Sequence, residues 1–425
     1  MGKRSRQKKE AEQKERSARS LARPRWMIAS AIVLVLSCVL FWYSRSTSVM
    51  KDALPSIPVS APKADAWKAP LLGPSGKPPQ FVVFAFDGSK SNDMWEETRA
   101  FARQMTEAGT PLHFTYFING VYFIPKERAS IYQGPHHAPG QSAIGWAESP
   151  ASILTRATEV NQAFAEGNEI GSHATGHWDG SAWSKADWEQ EFAEFYKLVF
   201  HAPENNPELG DKAPGAAVTI GEQSIVGFRA PELGVSDGLY PTLKELGYRY
   251  DASQVANGDT WPVRGKAGLW EFPLGSMKIG TPPHWTISMD YSVYTLQSGA
   301  VDDAKKGTLL WQKYHDDMLN AYRAYFEKNY AGNHAPVFIA HHFAKWNDGA
   351  YWEAMKDFAK EVCGKPEVQC VTYSRLADYM DTAEAAMQNG SLPKDAFGSK
   401  TTLSSQGSMQ APVISPVQES DKHEE

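Results

Sequence analysis

The chain has 425 residues and a formal charge of −6, but that charge is unevenly divided: Met1 to Arg25 carries +7 and the rest of the chain −13. With 42% apolar and 12% aromatic residues, the body is too apolar to stay disordered and can bury a large core. Its acidity excludes a nucleic-acid backbone as the main partner, which would need a basic surface.

The basic arm (1–25) is followed by an uncharged, proline-free run of 18 residues, Trp26 to Tyr43, closed by Arg45. As a helix it would span roughly 27 Å, enough for a thin bilayer core. Trp26, Trp42 and Tyr43 sit at its ends, where aromatic rings favour the headgroup region. The spacing predicts a transmembrane signal anchor with a cytoplasmic N-terminus and a periplasmic or extracellular main domain. A cleaved signal peptide fits less well, because the arm is long for one and no small-x-small site follows Tyr43 closely.

Residues 44–79 are rich in Pro, Ala, Ser and Lys and read as a flexible linker; residues 387–425 read as a disordered tail. The folded unit is expected over 80–386. Within it the apolar run Phe81 to Phe86 predicts a strand buried on both faces. A helix over about Met94 to Ala108 and a strand over His113 to Ile118 follow. Strands are expected at Glu169 to His173, Ser224 to Arg229, Leu269 to Leu274, Pro336 to His341 and Val368 to Thr372. Ser184 can cap a helix whose Trp188, Phe192, Phe195, Tyr196 and Val199 recur at helical spacing and read as core. Further helices are expected over Ser236 to Leu246, Thr308 to Lys328 and Ala350 to Val362. The alternation predicts an α/β fold, a parallel sheet with crossover helices that tends to close into a barrel. Two long Pro- and Gly-rich connections, Ile124 to Ser149 and His201 to Ile220, read as rims or lids. No internal repeat is found. Cys363 and Cys370 either pair as a disulfide or stand as two half-buried thiols.

The polar residues that stand out fall at carboxyl ends of the proposed strands: Asp87, His173 with His177, Arg229, and His341 with His342. Barrel enzymes place their active sites at that end. Two histidines four apart on a turn after a strand can aim both imidazoles at one point, as a metal requires. His136 and His137 read as a surface pair on the first long connection.

In this order the residues resemble the polysaccharide deacetylase family, carbohydrate esterases with a NodB homology domain, and most closely their chitin deacetylase-like branch. The family's Thr-Phe-Asp-Asp block is matched by Ala85-Phe86-Asp87-Gly88, its His-Ser/Thr-x-x-His by His173 and His177, and its Arg-x-Pro-aromatic by Arg229-Ala230-Pro231-Glu232. Its Asp followed later by Trp is matched by Asp251 and Trp261, and its Leu-x-His by Ile339-Ala340-His341. The resemblance implies a distorted (β/α) barrel and a metal-dependent hydrolase that removes N-acetyl groups from an extracytoplasmic polysaccharide. It implies a divalent metal on His173 and His177, zinc first, with cobalt, nickel or manganese also suiting imidazole. Asp87 would be the general base, Arg229 its orienting partner, and His341 the general acid tuned by Asp251. His342 is the alternative acid. Trp261, Pro231 and Glu232 would line the substrate groove.

The departures are specific. Gly88 stands where the family has a metal-ligand Asp, Glu232 replaces an aromatic residue, and Ala174 replaces Ser or Thr. A one-residue slip would make Asp87 the ligand and leave no base; the unslipped register matches Phe86 without a gap. Gly88 motivates a second expectation, a non-catalytic glycan-binding relative. A third is a hydrolase of another amide or ester.

Overall fold

The computed structural model describes residues 68–397. The basic arm, the expected membrane segment, most of the linker and the tail beyond residue 397 lie outside the described residues. Among the described residues no helix is long and apolar enough to cross a membrane.

The predicted apolar run is β1 (Gln80–Gly88), buried along nearly its whole length and central in a curled, mostly parallel sheet. Beside it lie β2 (Phe114–Ile118), β3 (Glu169–Ser172), β4 (Gly227–Phe228) and β5 (Tyr250–Asp251). Continuing in chain order, β6 (Val255–Asn257), β7 (Val263–Arg264), β8 (Trp270–Glu271), β9 (Leu274–Ile279), β10 (His284–Ile287), β11 (Val337–His342) and β12 (Val368–Cys370) complete the strands. The order is β11-β1-β2-β3-β4-β5-β8-β7, with β12 pairing the start of β1 and only the β7 pairing antiparallel. A second sheet, β10-β9-β6, continues from β8. Ser288 links the two edges: its N–H donates to Gly275 O and its O accepts from Ala340 N, both at 2.9 Å. The sheet therefore curls back on itself.

Helices α1 (Asn92–Glu107), α2 (Pro150–Ala165), α3 (Lys185–Phe200), α4 (Leu239–Glu245), α5 (Asp290–Ser298), α6 (Leu309–Ala331), α7 (Trp346–Val362) and α8 (Tyr373–Gln388) connect or follow the strands. Helix α3 starts where predicted, because Ser184 and Asp187 form a capping box, and the five aromatic and aliphatic residues of its stripe are buried. Helices α2, α5 and α8 were not expected. The expected strand over Leu269 to Leu274 is split, since Phe272 and Pro273 divide β8 from β9 and Pro cannot continue the ladder.

The body also extends past the expected boundaries. Leu71 and Leu72 pack on the core and Leu71 O accepts from Tyr379 OH at 2.7 Å, so part of the expected linker is docked. Leu392 is buried and Phe397 packs against Trp261, so the start of the expected tail is docked as well. A disulfide joins Cys363 and Cys370, with Cα atoms 5.5 Å apart, tying the end of α7 to β12.

Candidate active site

At the carboxyl end of β1 the side chains alternate between two environments. Phe86 faces the helices, packing on Tyr116, Phe343 and Trp352. Asp87 therefore faces the other way. It is 2% exposed, and its Oδ1 accepts from Arg229 Nη1 at 2.8 Å. Arg229 is fully buried: Nε donates to Ala252 O at 3.1 Å, Nη2 to Tyr373 OH at 2.7 Å, and the guanidinium lies 4.6 Å from the Phe117 ring centroid. Every edge of the fork is engaged, so the group that holds Asp87 cannot swing away.

The chain then turns at Gly88, whose φ of +104° is a conformation an L side chain rarely adopts. The turn is held from outside by Arg156, which donates Nε to Ser89 O at 2.7 Å, and by Trp95, whose Nε1 donates to the same oxygen at 3.2 Å.

His173 follows β3. Its Nδ1–H donates to Arg229 O at 2.7 Å, which leaves Nε2 free to ligate, the arrangement expected of a metal-binding histidine. Asn119, at the end of β2, donates from Nδ2 to His173 O. The His177 ring lies 5.0 Å from that of His173, centroid to centroid, at 73°. Burial pushes His173 down to about 4; burial, reinforced by the nearby His173 and His342, pushes His177 down to about 3, so both are neutral donors at pH 7. Two neutral imidazoles are the kind of donor a divalent metal takes. Gly88 contributes no third ligand, and among the described residues no three His, Cys, Asp or Glu side chains converge.

The two adjacent histidines of β11 are separated by the pleat. His341 pairs in register with Phe86 and His342 with Asp87. His341 accordingly faces the helices: it is 3% exposed, its Nε2 accepts from Tyr322 OH at 2.9 Å, and its ring packs on Phe86. His342 shares the face of Asp87, and its side chain is 26% exposed. Asp290, at the start of α5, accepts from His342 Nδ1 at 2.7 Å and from His342 N at 2.9 Å, with His341 Nδ1 at 3.4 Å. Burial lowers His341 to about 4. Burial also opposes charge on His342, but the Asp290 carboxylate outweighs it and the imidazole rises above its ordinary 6.5. His342 can therefore carry a proton at a pH where His341 cannot.

Two expected site residues lie elsewhere. Asp251 pairs in register with Phe228, which packs on Trp188 and Phe192 of α3, so it faces the helices. Its Oδ1 accepts from Ser253 N at 3.1 Å, Oδ2 has no partner among the described residues, and burial pushes it up to about 7. Asp290 occupies the place beside the histidines that was expected of Asp251. Trp261, expected as a groove wall, is 7% exposed, donates Nε1 to Asn333 O at 3.1 Å ahead of β11, and packs on Phe397. That places it by the amino end of the strands, in the core. The aromatic rings beside His342 are instead Trp346 at 5.3 Å and Tyr291 at 5.8 Å, both half-buried. Pro231 is buried after Arg229, and Glu232 is exposed with φ +54°.

The first long connection folds over the histidine turn. His137 stacks on Trp178 at 3.6 Å and Ala143 N donates to Gly176 O at 3.0 Å, so His137 is not a free surface residue. Asp290 had one signal in the sequence, an acid directly followed by an aromatic residue, Tyr291. Trp346, four residues beyond His342, had only its proximity.

No family model matches the chain, and no curated protein matches it. Among solved structures, a protein from Mycobacterium smegmatis described as a polysaccharide deacetylase is 17% identical, with 75% of this chain and 95% of that chain covered and a TM-score of 0.42. A family 4 carbohydrate esterase from Streptomyces lividans, solved with acetate, is 11% identical over 70% of this chain and 94% of that chain, TM-score 0.36. A pseudoenzyme of the same esterase family from Bacillus anthracis is 8% identical over 71% and 66%, TM-score 0.35. These are likenesses of fold.

Proposed function

We propose that the domain is a hydrolase of the polysaccharide deacetylase type that releases acetate from an N-acetylated glycan. The observation that carries it is the grouping, on one face of β1, β3 and β11, of a buried carboxylate fixed by Arg229, two neutral imidazoles, and the His342–Asp290 pair. Hydrolysis of an acetamide needs a base for water and an acid for the departing amine. Asp87 is the base, and Arg229 holds the oxygen that does not take the proton. His342 is the acid, oriented and kept protonated by Asp290. His173 and His177 would hold a divalent metal, zinc first, which when bound supplies Lewis acidity toward water and the acetyl oxygen. Trp346 and Tyr291 offer apolar faces to a sugar ring beside His342.

The full-length chain, supplied with zinc or cobalt, should release acetate from chitin oligosaccharides or peptidoglycan fragments. His173→Ala should abolish the release. A folded wild-type chain that releases none from any N-acetylated glycan would sink the proposal. Gly88 favours a second reading, a glycan-binding relative without catalysis; it predicts glycan affinity that is unaffected by chelation of metal.

Membrane anchoring and an extracytoplasmic location are part of the proposal. They are supported by the apolar run at 26–43 after the +7 arm and by the Cys363–Cys370 disulfide, a bond of oxidising compartments. Protease protection of the arm in intact cells, with a digestible body in spheroplasts, tests both.

A further inference from the structure

The turn that carries the two imidazoles is not self-supporting. Ala174 and His177 both have positive φ, +57° and +60°, which non-glycine residues adopt only where surroundings impose it. Backbone bonds hold the front of the turn, where Gly120 N donates to Ala174 O at 3.1 Å and Val121 N to Thr175 O at 3.3 Å. Asn119 and Ser172 bond its first residues, at His173 O and Ala174 N, and the amides at its centre are held by Glu191 of α3, which is fully buried. Glu191 Oε1 accepts from Thr175 N and Gly176 N, both at 2.8 Å, and its Oε2 accepts from Tyr132 OH at 2.8 Å. Thr175 Oγ1 donates to Glu191 O at 2.8 Å. One carboxylate thus ties three elements together: the histidine turn, the helix behind it, and the long connection that folds over the turn.

We infer that Glu191 is a positioning residue that keeps the turn in the shape bringing His173 and His177 together as a chelating pair, so that the metal affinity of the site depends on it. Among the described residues neither backbone N–H of Thr175 nor of Gly176 has another acceptor, and both residues lie between His173 and His177 in the chain. Without the carboxylate, the buried amides must find water or each other's carbonyls, and the route back to a two-imidazole geometry is lost. The inference rests on the metal assignment proposed above, but its test does not rest on acetate release.

The test measures Co²⁺ affinity of the full-length chain by competition with a chromophoric chelator, together with amide hydrogen exchange of residues 173–178. Glu191→Ala is expected to lose about 10- to 100-fold in Co²⁺ affinity, the usual effect of removing a supporting partner behind a metal ligand, and to exchange faster at Thr175 and Gly176. Glu191→Gln keeps an oxygen for both amides and should stay within a few-fold of wild type. If Glu191→Ala does not fold, Tyr132→Phe removes only the hydroxyl that fixes the carboxylate, and a several-fold loss of affinity is expected. Equal Co²⁺ affinity in the wild type and the folded variant overturns the inference, even with faster exchange, and so does a wild type that binds no Co²⁺. A wild type that binds Co²⁺ but releases no acetate defeats the deacetylase reading and leaves the Glu191 comparison standing.

Discussion

Replacing each of the two adjacent histidines by phenylalanine separates chemistry from packing. His342→Phe removes the only β11 imidazole that shares the face of Asp87. Loss of a general acid typically lowers the rate by about 10² to 10⁴, equivalent to about 3–5 kcal/mol of barrier. Because the side chain is 26% exposed and Asp290 keeps its bond to the His342 backbone N–H at 2.9 Å, the fold should suffer little. His341→Phe keeps a ring of similar size against Phe86 and the Tyr322 ring but deletes the acceptor of the Tyr322 hydroxyl. A buried donor left unpaired costs about 1–3 kcal/mol, so this variant should be less stable and still active. Acetate release at saturating substrate and urea denaturation, measured on both variants, give the comparison. If folded His341→Phe is as inactive as His342→Phe, or if His342→Phe keeps wild-type turnover, the assignment from strand register is refuted.

Other consequences follow from the same geometry. Asp290→Asn removes the charge that raises His342, so the alkaline limb of the pH–rate profile should move to lower pH and the maximum rate should fall. His341 is lowered to about 4 in the folded state; as a base with a depressed value it stabilises the fold above its ordinary 6.5, and that stability is lost as pH falls towards 4. His341→Phe should flatten this stretch of the stability curve by up to about 1.4 kcal/mol per pH unit. A Cβ added at Gly88 meets no heavy atom closer than 3.9 Å but must sit at φ +104°, so Gly88→Asp should cost about 1–3 kcal/mol of stability while raising Co²⁺ affinity, as titration of the full chain would show. Trp346→Ala should raise KM with little change in kcat, whereas Trp261→Ala should cost about 3–5 kcal/mol as a core truncation and leave KM unchanged.

The contrast between Asp251 and Asp290 shows what the linear sequence could not supply. Strands, the start of α3 and the histidine turn follow from local patterns: apolar runs, a Ser-x-x-Asp cap, and His-x3-His after a strand. Which of two neighbouring residues faces the site depends on pleat parity across three or four strands, and no local pattern encodes that. His341 and His342 differ by one position, yet pairing with Phe86 sends one to the helices and pairing with Asp87 sends the other to the site. Asp251 fails for the same reason, since pairing with Phe228 turns it outward. Asp290 succeeds because it opens a helix, α5, that begins just past the point where Ser288 joins the two edges of the sheet. That junction is formed by residues more than fifty positions apart in the chain, Ser288 and Ala340, so its catalytic consequence appears only once the sheet has curled. Glu191 was similarly hidden: in the sequence it is one more residue of an aromatic-rich helix, and only the folded turn, with two amides aimed at it, gives its carboxylate a task.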